Sequence, residues 1–161
     1  MTGNSTKALI AVLLFAGAGF GFYRFFNKKP DVSEKNFFYD LSEKKLFAAS
    51  REALPPITGL NDTAEDAVRA IVICASGNPD NPANRSIAYL EKYAPELKQS
   101  IEQVRLGKAE PMPTKLRNGL RFVARVEEEK WHAANSAEGQ KIMTTWNVAG
   151  ADGNYPVVCS P

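Results

Sequence analysis

Cysteine and histidine are the scarcest reactive residues in this 161-residue chain, with two cysteines and one histidine. Two cysteines are too few for a disulfide scaffold or a cysteine-rich zinc site. Glycine-rich phosphate loops, dinucleotide fingerprints and the nucleophile motifs of hydrolases are missing as well. These absences exclude the function classes that a short motif would reveal, and the sequence predicts no cofactor.

Acidic residues are missing from the first 30 positions, which carry four basic residues: Lys7, Arg24, Lys28 and Lys29. The whole chain has a formal charge of +2, but the part after residue 30 is weakly acidic. It contains 16 of the 20 basic residues and all 18 acidic residues. Nonspecific binding of nucleic acid requires a basic surface against the phosphates. We therefore predict no nucleic-acid partner.

The chain has one long uncharged run, from Ala8 to Tyr23. As a helix this run spans about 24 Å, against about 30 Å of bilayer hydrocarbon. It extends to Phe26 if the Arg24 side chain snorkels to the headgroups. Lys28 and Lys29 then supply basic anchors at the interface. This pattern predicts a single transmembrane anchor and a lipid bilayer as partner.

Two further interpretations concern the same run. Ala16 and Ala18 are small residues at the spacing of a signal-peptidase site, but cleavage there would leave a mature chain beginning with five exposed aromatic residues. We therefore favour an anchor that is retained.

Gly17 and Gly21 form a small-xxx-small pair, a pattern that can bring two membrane helices together. It would permit a homodimer through the anchor, although glycine is common in membrane helices.

Cys74 and Cys159 each follow a β-branched run. They are either two small buried residues that close strands or a disulfide between strands, which would imply an oxidising compartment. The excess of basic residues after the anchor favours a cytoplasmic domain, whereas a disulfide favours the opposite side. We predict a single-pass protein of the cell membrane with an extracytoplasmic domain.

The remaining sequence predicts an α+β domain with a mainly antiparallel sheet of about five strands and two or three helices. We assign residues 1–30 to the tail and anchor, 31–36 to a linker and 37–161 to this domain. The predicted elements are a hairpin at 37–49, a central strand at 68–75, a helical stripe from Ile87 to Val104, a strand at 120–126, a helix capped by Ser136 and a final strand at 155–159.

A basic stretch without acids contains Lys115, Arg117, Arg121 and Arg125. The simplest interpretation is the solvated outer face of a strand. The alternative is a surface that contacts anionic headgroups or a glycan phosphate, if the stretch lies near the membrane. In the strand at 120–126, alternation predicts that Arg121 and Val123 face outward.

His132, the only histidine, follows Trp131 and the acidic run Glu127–Glu129. A catalytic histidine needs a nucleophile or an orienting carboxylate at hydrogen-bond distance, and no motif supplies one. The three glutamates are more typical of a solvated turn than of a cation site. Trp131 is suited either to stacking on a ligand or to burial in a core.

The segments "FFYDLSEKKLFAA", "LPPITG", "VRAIVIC" and "YLEKYAPE" resemble those of small single-pass membrane-anchored bacterial proteins of planctomycete type. The resemblance covers most of the region after the anchor and implies an envelope-facing domain. It rests on strand-like segments, so it implies no active-site residues.

Three functions follow as hypotheses. The first is a membrane-tethered, non-enzymatic interaction or assembly domain of the bacterial cell envelope, with another envelope protein as partner. The second is an envelope ligand-binding or enzymatic domain with a site near Trp131 and His132. The third is a type IV pilin-like filament subunit, which joins a hydrophobic N-terminal helix to an α+β head. The usual pilin cleavage site is missing, and Pro30 would end the helix early.

Overall fold

The computed structural model describes residue 23 and residues 33–61, 64–74 and 81–161. The chain divides into two compact units between Val32 and Ser33. All the described residues except Tyr23 belong to the second unit.

The predicted anchor and the Gly17/Gly21 pair lie outside the described residues. Among the helices that the structure does describe, none is long and apolar enough to cross a bilayer. The anchor therefore stays a prediction from sequence.

The second unit is an antiparallel sheet with helices packed on it. Within the described part of the chain the elements are β1 (Lys35–Asp40), β2 (Lys45–Ser50), β3 (Ala67–Cys74), β4 (Arg85–Tyr93), α1 (Pro95–Arg105), α2 (Thr114–Gly119), β5 (Arg121–Ala124), β6 (His132–Ala133), α3 (Ala137–Thr144) and β7 (Val157–Val158). The strand order is β2-β1-β3-β4-β5-β6, and β7 pairs with the end of β3. The prediction of a mainly antiparallel sheet with helices is confirmed, with seven strands in place of about five.

The predicted hairpin is present as β1 and β2. The strands pair in register from Lys35 opposite Ser50 to Asp40 opposite Lys45. Because β1 begins at Lys35, the last two positions of the predicted linker belong to the sheet. The linker prediction of 31–36 was therefore too long on its C-terminal side.

β3 is the central strand that the sequence predicts. Val68, Ala70, Val72 and Cys74 are almost completely buried, and they form a core cluster with Phe37 and Leu90, among others. We call this side of the sheet the aliphatic face. Its alternating apolar side chains explain why β3 is recognisable from sequence alone.

The predicted helix from Ile87 to Val104 was wrong in its first half, which is strand β4. Ile87 and Leu90 lie opposite Val72 and Ala70, on the same face. They can share a face at a spacing of three because the register shifts between Ile71 and Val72. A bulge of this kind places one extra residue in one strand, so it imitates the spacing of a helix. Only the second half is helical.

Helix α1 begins at Pro95, which occupies its first turn. Proline is favoured there because its missing N–H has no partner within the helix. The sequence is compatible with this start or with a kink at Pro95 within one long helix. The structure selects the start.

The opposite side of the sheet carries the helices and is called the helix face. Val123 packs there against Ala134, which follows β6, and against Ile142 of α3. The prediction that Val123 faces solvent was therefore wrong, because helices cover this face while the aliphatic face is also buried.

The helix capped by Ser136 is confirmed as α3. The Ser136 hydroxyl accepts the N–H of Gly139 at 3.1 Å, which satisfies one of the free donors of the first turn. A Cβ atom at Gly139 would lie 2.1 Å from the carbonyl oxygen of Ala133. Only glycine lets α3 approach the end of β6 this closely.

Cys74 and Cys159 are paired as a disulfide, with Cα atoms 6.0 Å apart. The N–H of Cys159 donates to the carbonyl of Val72 at 2.9 Å. The bond therefore joins the end of β3 to the segment that follows β7, and both half-cystines belong to the core of the aliphatic face.

Candidate functional site

Trp131 stands between two clefts of the domain. The larger cleft has a volume of about 760 Å³, and the smaller one of about 560 Å³. Trp131 lines both of them. It lies in the loop that leads into β6, and its ring is partly buried against the core of the aliphatic face.

The larger cleft combines an apolar wall with a charged rim. Pro56, Pro95 and Phe122 lie along it together with Trp131. These residues come from a loop, from the start of α1 and from β5, so the cleft exists only in the folded domain. Its volume falls within the range of ordinary ligand sites, about 300–1,000 Å³.

Both signs of charge occur on the rim. The Lys98 ammonium pairs with Glu65 at 2.9 Å and also donates to the carbonyl of Pro56 at 2.8 Å. Glu102 and Gln99 add further polar groups. A mixed rim around an apolar wall suits a polypeptide segment with side chains of several kinds.

Lys92 fixes the indole that both clefts share. Its ammonium lies 4.2 Å from the centroid of the Trp131 ring, a cation–π distance. Burial lowers the pKa of Lys92. The cation–π contact and the packing of the indole against the core orient Trp131.

The smaller cleft carries the acidic run. Glu127, Glu128 and Glu129 line it opposite Lys44, with Leu90 and Tyr39 among its apolar residues. Glu128 pairs with Arg125 at 2.7 Å. All three glutamates are exposed, as the solvated-turn interpretation predicts.

His132 does not join Trp131. It lies opposite Val123 in the register, whereas the neighbouring Ala133 lies opposite Phe122. Alternation along the strand therefore directs His132 to the helix face, and it lines neither Trp131 cleft. The hypothesis of a site shared by Trp131 and His132 loses its geometric basis.

A second candidate site lies on the helix face, around the buried Glu91. Its carboxylate is 3.5 Å from the Arg69 guanidinium and is in direct contact with that of Arg121. The Glu91 side chain is only 4% exposed. A buried carboxylate needs such partners, because an unpaired charge in this position would be very costly.

Two tyrosines complete this group. The Tyr93 hydroxyl accepts a hydrogen bond from Arg69 at 3.2 Å, and the Arg69 guanidinium lies 5.7 Å from the Tyr93 ring centroid. Burial and the neighbouring Glu91 raise the pKa of both Tyr89 and Tyr93. Their phenols therefore remain neutral over the physiological range.

The cavity beside this group measures about 570 Å³. Its charged lining consists of Glu91, Arg69, Arg121 and Arg117, and its apolar wall includes Leu97 and Ile101 of α1. We call it the arginine cavity. Strands β3, β4 and β5 contribute adjacent positions on one face, since Arg69 lies opposite Glu91 and Tyr93 opposite Arg121.

The structure divides the basic stretch that the sequence singled out. Arg117 and Arg121 meet at the arginine cavity. Arg125 pairs with Glu128 and Glu138 instead. Lys115 is exposed on α2 and lines none of the three clefts described above. The interpretation as one uniform strand face was therefore wrong.

Asp40 is the other buried carboxylate of the helix face. Its oxygens accept the N–H of Glu43 at 2.8 Å, the N–H of Leu60 at 2.7 Å and the hydroxyl of Ser42 at 2.9 Å. The backbone hydrogen bonds from Glu43 and Leu60 lower the pKa of Asp40. This carboxylate ties the β1–β2 turn to the loop that precedes β3.

In the part of the chain that the structure describes, no group of three or more histidine, cysteine or acidic residues could hold a metal ion. Comparison with known proteins found no match: no protein-family model, no curated protein and no solved structure is similar to this chain. The geometry of the described residues therefore carries the functional argument.

Sequence reasoning missed Arg69, Tyr89, Glu91 and Tyr93. The last three alternate along β4, and this alternation would have indicated a polar strand face. It was hidden because the same residues were placed in a helix. Arg69 gave no local signal, since it meets Glu91 only through the pairing of β3 with β4.

Proposed function

We propose that this chain is a membrane-tethered, non-enzymatic interaction domain of the bacterial cell envelope, which binds a segment of another envelope protein through the two Trp131 clefts. The observation that carries the proposal is the position of Trp131. It separates two clefts and is held by Lys92 at 4.2 Å.

A partly buried tryptophan beside two clefts has the chemistry of an interface anchor. Tryptophan is enriched among the residues that dominate binding energy, because it buries a large rigid surface at little entropic cost. The apolar wall and the mixed-charge rim of the larger cleft resemble the core and rim of a protein interface. These features favour a polypeptide over a uniformly charged ligand.

The predicted anchor and the disulfide support the location. The uncharged run from Ala8 to Tyr23 is the basis for tethering. The pairing of Cys74 with Cys159 favours an oxidising compartment, because disulfides rarely persist in the cytosol. We place the domain on the extracytoplasmic side of the membrane.

Site-specific photocrosslinking in the native membrane tests the binding surface. A photoreactive residue at Gln99, on the rim of the larger cleft, is expected to give one discrete protein adduct. Trp131→Ala should abolish that adduct, because the anchor of the interface is lost. Trp146→Ala is the matched control: its indole N–H donates to the carbonyl of Met143 at 2.7 Å, and it lines neither cleft.

The adduct should persist in Trp146→Ala, and both variants should keep a cooperative thermal transition. If the adduct survives in Trp131→Ala, or disappears equally in both variants, binding through Trp131 is refuted.

Carbonate extraction of membranes tests the tether. The full chain should remain in the membrane pellet, because a transmembrane helix resists both salt and high pH. Release of a soluble form that begins at Gly19 would instead show cleavage after Ala18. In that case the domain is secreted, and the proposal of a membrane-tethered function is refuted.

A further inference from the structure

The arginine cavity has a charge imbalance that folding does not require. Arg69, Arg121 and Arg117 contribute three positive charges to its lining, and Glu91 contributes the single negative charge. A single arginine would be enough to neutralise the buried carboxylate of Glu91. The surplus of two positive charges faces a concave space of about 570 Å³.

The arginines have different roles in this arrangement. Glu91 binds Arg69 through one oxygen and Arg121 through the other. Arg69 is also held by the Tyr93 hydroxyl and by the carbonyl of Ala53, and Arg121 by Asn118. These contacts fix two guanidinium groups in place at the floor of the cavity.

Arg117 is not held in this way. It is exposed near the end of α2, and among the described residues it has no carboxylate within 4.0 Å. It lines the cavity beside the two fixed guanidinium groups. A guanidinium has several N–H donors in a planar fork that matches the oxygens of a phosphate.

Tyr89 supplies a neutral donor to the same space. Burial and the charge of Glu91 raise the pKa of Tyr89, whereas the charges of Arg121 and Arg69 lower it. The phenol therefore retains its proton over the physiological range, and Tyr89 lines the arginine cavity beside the arginines. A phenol O–H donates well to an anionic oxygen.

From these features we propose that the arginine cavity binds the dianionic phosphate monoester group of a ligand. The surplus of two positive charges matches the charge of such a group. Arg117 and Tyr89 supply the accessible hydrogen-bond donors. The fixed guanidinium groups of Arg69 and Arg121 supply a positive electrostatic potential. Leu97 and Ile101 border the space where the rest of the ligand lies. Tyr93 lines both this cavity and the larger Trp131 cleft, but Trp131 itself does not line the cavity. The proposed phosphate site goes beyond the interaction function proposed above.

A phosphate monoester could belong to a soluble metabolite or to a lipid headgroup. Glycerol 3-phosphate and phosphatidic acid present the same group in these two forms. Isothermal titration calorimetry of the full chain in nonionic detergent, at constant ionic strength, measures binding of inorganic phosphate and of glycerol 3-phosphate. Flotation with phosphatidylcholine vesicles, with and without phosphatidic acid, measures the lipid form.

Arg117→Gln is the decisive variant, because Arg117 is exposed and its loss leaves the buried pairs intact. We expect it to weaken binding of the monoester at least tenfold. Lys115→Gln removes the same charge from the same helix but outside the cavity, so its binding should stay within twofold of wild type. Tyr89→Phe tests the hydroxyl alone and should weaken binding severalfold.

Saturable binding of glycerol 3-phosphate with this pattern supports a soluble ligand. Binding confined to the phosphatidic-acid vesicles, with the same dependence on Arg117, supports a lipid ligand. The proposal is overturned if neither form binds, or if Arg117→Gln and Lys115→Gln weaken binding equally. Equal weakening would show attraction to overall charge and not to a built site.

Discussion

The aliphatic face and the helix face of one sheet are built from alternating residues of the same strands. Along β3, Val68, Ala70 and Val72 point to the first, whereas Arg69 and Ile71 point to the second. The aliphatic face is apolar and closed by a disulfide. The helix face buries two carboxylates.

The difference shows how one strand can serve two physical purposes. Burial of apolar area on the aliphatic face stabilises the domain without regard to direction. The helix face satisfies its charges only in one arrangement, because each carboxylate oxygen needs a particular donor. Apolar burial therefore stabilises both sides of the sheet, since Phe38, Leu97 and Ile142 are buried on the helix face. Only the helix face adds the positional specificity of buried carboxylates.

The largest expected effect separates neighbouring residues of β3. Val72→Asp should unfold the domain, because Val72 is 1% exposed in the apolar core and an unpaired buried carboxylate costs several kcal/mol. Ile71→Asp should be milder, since Ile71 borders the positively charged arginine cavity. Urea denaturation monitored by circular dichroism measures both. Equal destabilisation would contradict the difference between the faces.

Removal of the disulfide should give the next largest effect. The bond joins residues 85 positions apart, for which the chain-entropy model gives about 4–5 kcal/mol as an upper value. The double variant Cys74→Ala/Cys159→Ala should therefore melt well below wild type. Thiol labelling under acid quench, with and without reductant, reports the bond directly. Two free thiols in the native protein would contradict the pairing and remove the main argument for the extracytoplasmic location.

Glu91→Gln tests the buried charges of the helix face. Losing one partner of a fully buried pair costs roughly 3–5 kcal/mol. We expect about 2–3 kcal/mol here, because Arg69 and Arg121 keep 20% and 28% of their side-chain exposure. Glu128→Gln, in the exposed pair with Arg125, is the control and should stay within about 1 kcal/mol. Similar losses in chemical denaturation would argue against a special role for the buried pair.

Asp40 should give the smallest effect and a dependence on pH. Its pKa is lowered in the folded state from the ordinary value of 3.8. Its contribution is therefore complete above that value and is lost as the pH falls through the lower, folded pKa. Asp40→Asn should melt below wild type at neutral pH, and the gap should narrow as the pH falls below 3.8. A gap that is independent of pH would show that the charge of Asp40 is irrelevant.

The sequence predicts elements whose own residues carry the signal. β3 is recognisable from its alternating apolar residues, and α3 from Ser136 at its cap. β4 was hidden because its bulge puts Ile87 and Leu90 on one face at helical spacing. Arg117 and Arg121 stood out as a basic stretch, but their link to Arg69 depends on strand pairing, which no local pattern encodes.

The bond between Cys74 and Cys159 also turns the segment between them into a covalent ring. That ring contains both Trp131 and the buried Glu91, whereas the hairpin of β1 and β2 lies outside it. A protease that cuts the exposed backbone once near Lys108 opens the ring but releases no piece of it. One cut near Arg51, by contrast, divides the chain. Trp131, Glu91, Arg117 and Arg121 thus belong to the part of the molecule that survives a single cut in one piece, whereas Arg69 and Pro56 contribute to the two sites from outside the ring.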